Sequence, residues 1–172
     1  MPVVLVSSID KATDIPNIIT IAWCGVVCSD PASISISIRP ARHSHRLIRE
    51  SGDFVINIPT TSILKEVDLC GIRSGRDTDK FKACSFTSIP SSKIASPMIK
   101  ECPVNIECKL KSIIPLGAHD MFIGEVLLIH VDDSILVPKD GIDYMKASPV
   151  VYNQGEYWSI GKRIGHYGFS AK

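Results

Sequence analysis

A mainly β fold with two or three short helices is predicted for this chain by three features of its sequence. Residues 33–38 alternate strictly, with Ile34, Ile36 and Ile38 on one face and Ser33, Ser35 and Ser37 on the other. That is the two-residue period of a strand with one buried side. Residues 18–27 form a long apolar run rich in β-branched side chains, the composition that suits a pleated surface. Residues 104–114 and 121–131 are two further runs joined by a short turn, the pattern of a hairpin. With the shorter runs they predict six or seven strands. The 172 residues suit a single domain over 1–172, long enough to bury a substantial core.

Taken in order, residues 3–7 predict a first strand and 12–17 a loop, with Asn17 where loop becomes strand. Asn17 reads either as a turn asparagine or as a ligand contact. After the run at 18–27, Ser29, Asp30 and Pro31 supply turn chemistry. The serine face of the next strand continues into Arg39, with Arg42, His43, Ser44 and His45 just beyond. A hydroxyl-lined face ending in arginines is a cradle for a phosphorylated ligand. Leu47 and Ile48, set among Arg42, Arg46 and Arg49 at helical spacing, predict an amphipathic turn or two that ends at Gly52. Arg46 and Arg49 read as its solvated face. His43 and His45 lie two apart, a spacing that does not share a helix face and argues against a metal site there.

Residues 53–58 predict a buried strand closed by Pro59. Thr60, Thr61 or Ser62 is placed to cap a helix through about Cys70, with Leu64, Val67 and Leu69 as its apolar side. Residues 73–81, RSGRDTDKF, read as a polar loop, and 88–96 as a Ser/Pro-rich surface connection. Residues 104–114 alternate as a half-exposed strand, 116–120 turn the chain back, and 121–131 form a long strand interrupted at Gly124 and Glu125. His130 lies in that run and reads as a satisfied core histidine. Residues 140–149 read as irregular and 150–153 as a short strand, followed by an aromatic, glycine-rich tail.

Several function classes are excluded by composition and motif. A net charge of +1 without a basic block gives no footprint for nucleic acid. No stretch approaches the roughly twenty apolar residues of a membrane helix, and the first ten residues lack a secretory leader, so a cytoplasmic location is expected. The six cysteines contain no C-x-x-C pair and read as small core residues, not as a disulfide framework or zinc site. There is no G-x-G-x-x-G or P-loop, and residues 71–75 are not G-x-S-x-G.

The segments NIITIAW, SISIR followed by P-x-R-x-S, SGDFVINIP, CGIRSGRDTDKF, IECKLKSII and HDMFIGEVLLIHVDD occur in that order over nearly the whole chain. In this the sequence resembles the flavin reductase-like, flavoredoxin-type split-barrel proteins that bind FMN. The resemblance implies a split β-barrel, a homodimer and non-covalent FMN. It implies an NAD(P)H-dependent flavin oxidoreductase, or alternatively a flavoredoxin-type electron carrier serving a protein partner, or a binding protein of the same architecture. It places Asn17, Thr20 and Trp23, with backbone around Ala22 and Cys24, against the flavin; Trp23 reads equally as a core tryptophan. Ser37, Arg39, Arg42 and Ser44 would hold the phosphate, and Ser74, Gly75, Arg76, Lys80 and Phe81 would approach the cofactor. His119 is either a polar contact to the flavin or a turn histidine. Relatives carry Gly-Asp-His where this chain has Gly117-Ala118-His119-Asp120, so the role of that acid does not carry over. The tail matches the family's Y-W-x-I-G-x-R-I-G and is read either as a cover for the cofactor or as padding between subunits.

Overall fold

The computed structural model describes residues 1–138 and 141–171. Strands β1 (Val4–Ile9), β2 (Pro16–Ile21), β3 (Cys24–Ser29) and β4 (Ala32–Ile38) lead to helix α1 (His43–Ser51) and strand β5 (Asp53–Ile58). Helices α2 (Leu64–Ile72) and α3 (Lys80–Ala83) follow, then a short ladder of β6 (Ser88–Ile89) with β7 (Met98–Ile99). The long hairpin of β8 (Val104–Pro115) and β9 (Asp120–Val131) comes next. A second ladder, β10 (Leu136–Val137) with β11 (Gly141–Ile142), helix α4 (Tyr144–Ala147) and a C-terminal hairpin of β12 (Val150–Asn153) and β13 (Glu156–Ser159) close the chain.

Seven strands form one sheet in the order β2-β1-β5-β8-β9-β4-β3, with antiparallel pairing throughout. β2 and β3 are separated by only Ala22 and Trp23, yet they occupy opposite edges of that sheet. Two residues cannot span a flat seven-stranded sheet, because neighbouring strands lie about 4.8 Å apart. The sheet therefore curls until its edges approach, and Ala22 and Trp23 mark the seam. One apolar cluster confirms the curl. Val4, Ile19, Ile36, Phe54, Cys108 and Phe122 meet in it, with Cys24 packed against them, so every strand of the sheet contributes. This is the split barrel that the resemblance implied.

The alternation predicted for β4 holds, with Ile34, Ile36 and Ile38 buried and the serines half-exposed. α1 ends where expected, at Gly52 in the left-handed conformation (φ 75°), which glycine adopts without steric cost. Elsewhere long-range contacts override the local pattern. The apolar run 18–27 is two strands, because it changes partner from β1 to β4 at the seam. β9 runs through Gly124 without interruption. A Cβ there would lie 2.6 Å from Phe54 Cζ, so the glycine makes room for a fully buried core phenylalanine. Thr60, Thr61 and Ser62 bond elsewhere and leave α2 preceded by a 3-10 turn. The end of the polar loop is helix α3, capped by Asp79, which accepts from the Lys82 N–H at 3.1 Å. Residues 141–149, expected to be irregular, contain β11 and α4; Asp140 lies outside the described residues.

The serine-rich connection is also less superficial than expected. Ser96 is fully buried, and Asp53 accepts from the N–H groups of Ala95 and Ser96. Glu107, fully buried, accepts from the N–H groups of Ser92 and Lys93 at 2.7 Å each and pairs with His130 Nε2 at 2.6 Å. Burial alone would raise the Glu107 pKa, but these donors outweigh it and hold the carboxyl below its usual range. His130 is thus satisfied, as predicted, though half-buried. Arg46 is not simply solvated; it bonds Asp10 at 2.8 Å and Glu50 at 2.6 Å. Cys70, Cys84, Cys102 and Cys108 are buried and unpaired, Cys24 is half-buried and Cys28 exposed. Among the described residues, no helix is long and apolar enough to cross a membrane.

Candidate functional site

The seam of the barrel, α2 and the C-terminal hairpin enclose a cavity of about 430 Å³. A second recess of about 110 Å³ adjoins it, and Ile19, Arg42 and Gly71 line both. The pair suits a flat body with a small, strongly anionic tail.

In the cavity, Thr20, Ala22 and Trp23 come from the seam, Ser37 from the polar face of β4, and Arg39 and His119 from the loops beyond β4 and β8. The Thr20 hydroxyl donates to Val67 O and ties β2 to α2. Arg39 Nε donates to His119 Nε2 at 3.4 Å. The Trp23 and His119 ring centroids are 6.5 Å apart, tilted by 60°. Trp23 is 46% exposed, so it is a wall of the cavity and not a core tryptophan. Tyr152, Gly155 and Tyr157 of the C-terminal hairpin complete the enclosure. Tyr157 OH donates to Asp68 Oδ1 at 2.9 Å; burial, reinforced by this carboxylate, raises its pKa to about 12.

The recess is built on α1, the loop 73–79 and α3. Its lining includes Arg42, His43, Ser44, Arg73, Ser74, Gly75, Arg76 and Lys80. Ser44 is 2% exposed and accepts from Asn17 Nδ2 at 2.7 Å. Lys80 is 4% exposed, and its Nζ donates to Ile18 O at 2.6 Å and Cys70 O at 2.8 Å. Two of its three donors are thereby fixed on backbone, and one is left. Burial lowers the Lys80 pKa to about 8. Arg76 Nη1 donates to Ala41 O at 3.2 Å, steadying the loop against the start of α1. No side chain caps α1 and its first turn carries no acid, so its leading N–H groups keep their attraction for an anion. Gly75 is dictated by packing, since a Cβ would sit 1.9 Å from Asn17 Oδ1. Asn17 Oδ1 and His43 Nδ1 are buried without a hydrogen-bond partner, as expected of a polar site made for another molecule. Burial, and then the Arg46 and Arg76 charges, lower the His43 pKa.

Most of the residues expected from sequence line one of the two spaces; Phe81, Cys24 and Asn17 line neither, and Ser37 and Arg39 line the cavity but not the recess. Phe81 belongs to the core beneath the site, in a cluster with Leu5, Val67 and Cys84, because α3 turns its aromatic ring inward while Lys80 faces the recess. Cys24 packs on the barrel core, where burial raises its thiol pKa to about 11. Arg39 meets Arg42 on the cavity lining but does not join Arg42 and Ser44 in the recess, because the turn at Pro40 and Ala41 lies between them. Asn17 lies behind Ser44 and Gly75 as a support. Asp120 pairs with His45 at 2.7 Å. Asp68, Gly71, Ile72, Tyr152 and Tyr157 were not foreseen. α2 shows only an apolar side in its sequence; of the tail, Gly155 and Tyr157 line the cavity, while Trp158, Ile164 and Tyr167 are exposed.

Comparison with known proteins bears on the same region. The flavin reductase like domain family matches residues 1–161. An uncharacterized protein of Archaeoglobus fulgidus is 34% identical over 140 residues, covering 81% of this chain and 77% of its own. The solved structure of flavoredoxin from Desulfovibrio vulgaris (Miyazaki F) superposes with a TM-score of 0.92 at 36% identity, covering 99% of this chain and 92% of that one. A putative flavin reductase with a split barrel domain from Shewanella frigidimarina shares the fold, with a TM-score of 0.86 at 23% identity over 96% of this chain and 84% of that one. The chain belongs to the flavin reductase-like domain family.

Proposed function

We propose that the protein binds FMN and acts as an NAD(P)H-dependent flavin oxidoreductase, working as a homodimer. The observation that carries the reading is the adjoining pair of spaces: a cavity of about 430 Å³, within the usual range for small-molecule sites, opening into a cationic recess of about 110 Å³. The recess fits a phosphate monoester. Ser44, Ser74 and the first turn of α1 offer neutral donors, Arg42, Arg73 and Arg76 offer guanidinium groups, and Lys80 has one proton to give. Thr20, Ala22 and Trp23 would border the isoalloxazine, with Tyr157 closing the far side. Bound there, FMN supplies hydride and electron transfer. The chain supplies binding, orientation and shielding from water, and no general acid or base is required of it. The exposed Val26 and Val27 on edge strand β3 support association of two copies through that edge.

The likeness to flavoredoxin over almost the whole chain favours a second reading, an electron carrier that serves a protein partner. One preparation distinguishes the two. The purified protein should be yellow, release FMN and not FAD, and show a dimer mass by light scattering. A reductase would be reduced rapidly and saturably by NADH or NADPH. A carrier would accept electrons from dithionite at once and from either nicotinamide only slowly. Protein that is colourless and gains no thermal stability from added FMN would end both readings.

A further inference from the structure

We infer that Cys70 and Cys84 are a modification site, a reversible dithiol–disulfide couple oxidised by hydrogen peroxide that closes the base of the loop lining the recess. Its bearing on the cofactor rests on the proposal that the recess takes the FMN phosphate. Cys70 lies in the last turn of α2, and Cys84 directly follows α3. Their sulfurs are 3.6 Å apart, and both residues are buried. The chain between them supplies Gly71, Arg73, Ser74, Gly75, Arg76 and Lys80 to the recess. Lys80 Nζ also donates to the Cys70 carbonyl, so the sulfur pair and the cationic lining are joined by a hydrogen bond. A bond between the two sulfurs would close a ring around this whole wall.

Oxidation needs only a short movement. The sulfurs of a disulfide lie about 2.05 Å apart, so this pair must approach by about 1.5 Å. Cys84 is 8% exposed and Cys70 is 0% exposed, so a small oxidant meets Cys84 first. The Cys84 thiolate attacks one oxygen of hydrogen peroxide, the O–O bond breaks, and a sulfenic acid forms as hydroxide leaves. The Cys70 sulfur then displaces that oxygen, the S–S bond forms, and water leaves. Each sulfur gives up one electron, and two thiols with one peroxide yield one disulfide and two waters. Burial raises both thiol pKa values, Glu66 adds to this and Lys80 opposes it, so the thiolate is scarce and oxidation is slow near neutral pH. The closed ring restricts the loop before any ligand arrives. A bound phosphate then has less ordering left to impose and is held longer.

The test treats the reduced protein with hydrogen peroxide. The mass of the chain should fall by two hydrogens, peptide mapping should join Cys70 to Cys84, and dithiothreitol should restore the mass. Backbone hydrogen exchange over residues 73–79 should slow several-fold in the oxidised form. FMN should leave the oxidised protein about three- to tenfold more slowly than the reduced protein. Cys84→Ser should abolish the link and both rate changes, whereas Cys28→Ser, at an exposed position of β3, should preserve them. The link and the exchange are read on the wild type, so they decide the inference even if Cys84→Ser fails to fold. A pair that stays reduced, or a link through any other cysteine, would overturn the inference. So would linked protein whose loop exchanges no more slowly, or whose FMN leaves no more slowly. Failure of the wild type to bind FMN would remove the cofactor reading alone, because the link and the exchange need no flavin.

Discussion

In the recess, Ser44 is held by Asn17 and Lys80 by two backbone carbonyls, and both side chains are almost wholly buried. Around the cavity, Trp23 is half-exposed, Arg39 lies in solvent and its contact to His119 is long. The two spaces touch, yet Ser44 and Lys80 of the one are buried and fixed by short hydrogen bonds, while Trp23 and Arg39 of the other are exposed and loosely held. Pre-organised groups bind tightly because little ordering remains to be done on association. Loosely held ones bind more weakly but exchange easily. A redox flavoprotein needs both: a resident cofactor anchored at one end, and a face where a second reactant arrives and leaves. If that is what the difference means, substitutions in the recess should discriminate between FMN and riboflavin, which lacks the phosphate. Substitutions around the cavity should affect the two alike.

The largest effect is expected from Gly75→Ala. The new methyl would collide with Asn17 Oδ1, and Asn17 cannot retreat without releasing Ser44. Two or more phosphate contacts would be disturbed at once, each involving a charged partner and contributing about 1.5–3 kcal/mol. FMN affinity should fall by more than about a hundredfold, with riboflavin changed only a few-fold. Fluorescence quenching of the two flavins would measure this. Parallel losses for both would mean that the recess does not hold the phosphate.

Lys80→Met comes next and adds a pH signature. Its one free N–H donor predicts a loss of about ten- to a hundredfold for FMN. In the wild type the empty site holds Lys80 near pKa 8, and a bound phosphate raises it. FMN affinity should therefore decline as pH rises above 8, while riboflavin affinity stays flat and the Met variant shows no such decline. Stability without flavin moves the other way. Between the folded value near 8 and the ordinary lysine value of 10.5, the unfolded chain binds more protons at this lysine, so the cost of burying its charge fades as pH rises. Burial raises the thiol pKa of Cys70, Cys102 and Cys108, and these oppose the gain above pH 9. The lysine contribution is read as the difference between wild type and variant in urea unfolding from pH 8 to 9. No difference in that window would show that the ammonium is not desolvated.

The same contrast marks what the sequence makes legible. β4 and the end of α1 could be read because their signals are local: a period of two, and a glycine in the left-handed region. The joint placement of Arg42 and Ser44 in the recess was legible, because they sit two residues apart at the start of α1. That Arg39 lines the cavity without reaching the recess was not legible, because sequence proximity passes over the turn at Pro40. The seam at Ala22 and Trp23 was hidden because its cause is the sheet order, set by pairing between distant strands. Gly124 looked like a break for the same reason; Phe54, seventy residues earlier, explains it. Tyr157 and Asp68 meet across 89 positions, and no local pattern announces such a pair.

The smallest effect is expected from Tyr157→Phe, which tests the cavity side of the comparison. The substitution keeps the ring that walls the cavity and removes only the hydroxyl that donates to Asp68. A part-buried hydrogen bond to a carboxylate contributes about 1–2 kcal/mol, with some of the loss recovered as water reaches Asp68. The hairpin of β12 and β13 would remain paired to itself and, through the Val3 N–H bond to Val150 O, to the start of the chain. It should therefore loosen without detaching. FMN and riboflavin should each dissociate about three- to tenfold faster, by the same factor, because the tether acts on the wall against the ring and never touches the phosphate. Association rates should hardly change. Stopped-flow displacement of each flavin would give the four rate constants. A selective effect on FMN would mean that the hairpin reaches the recess, and the division between an anchored end and an exchangeable face would have to be redrawn.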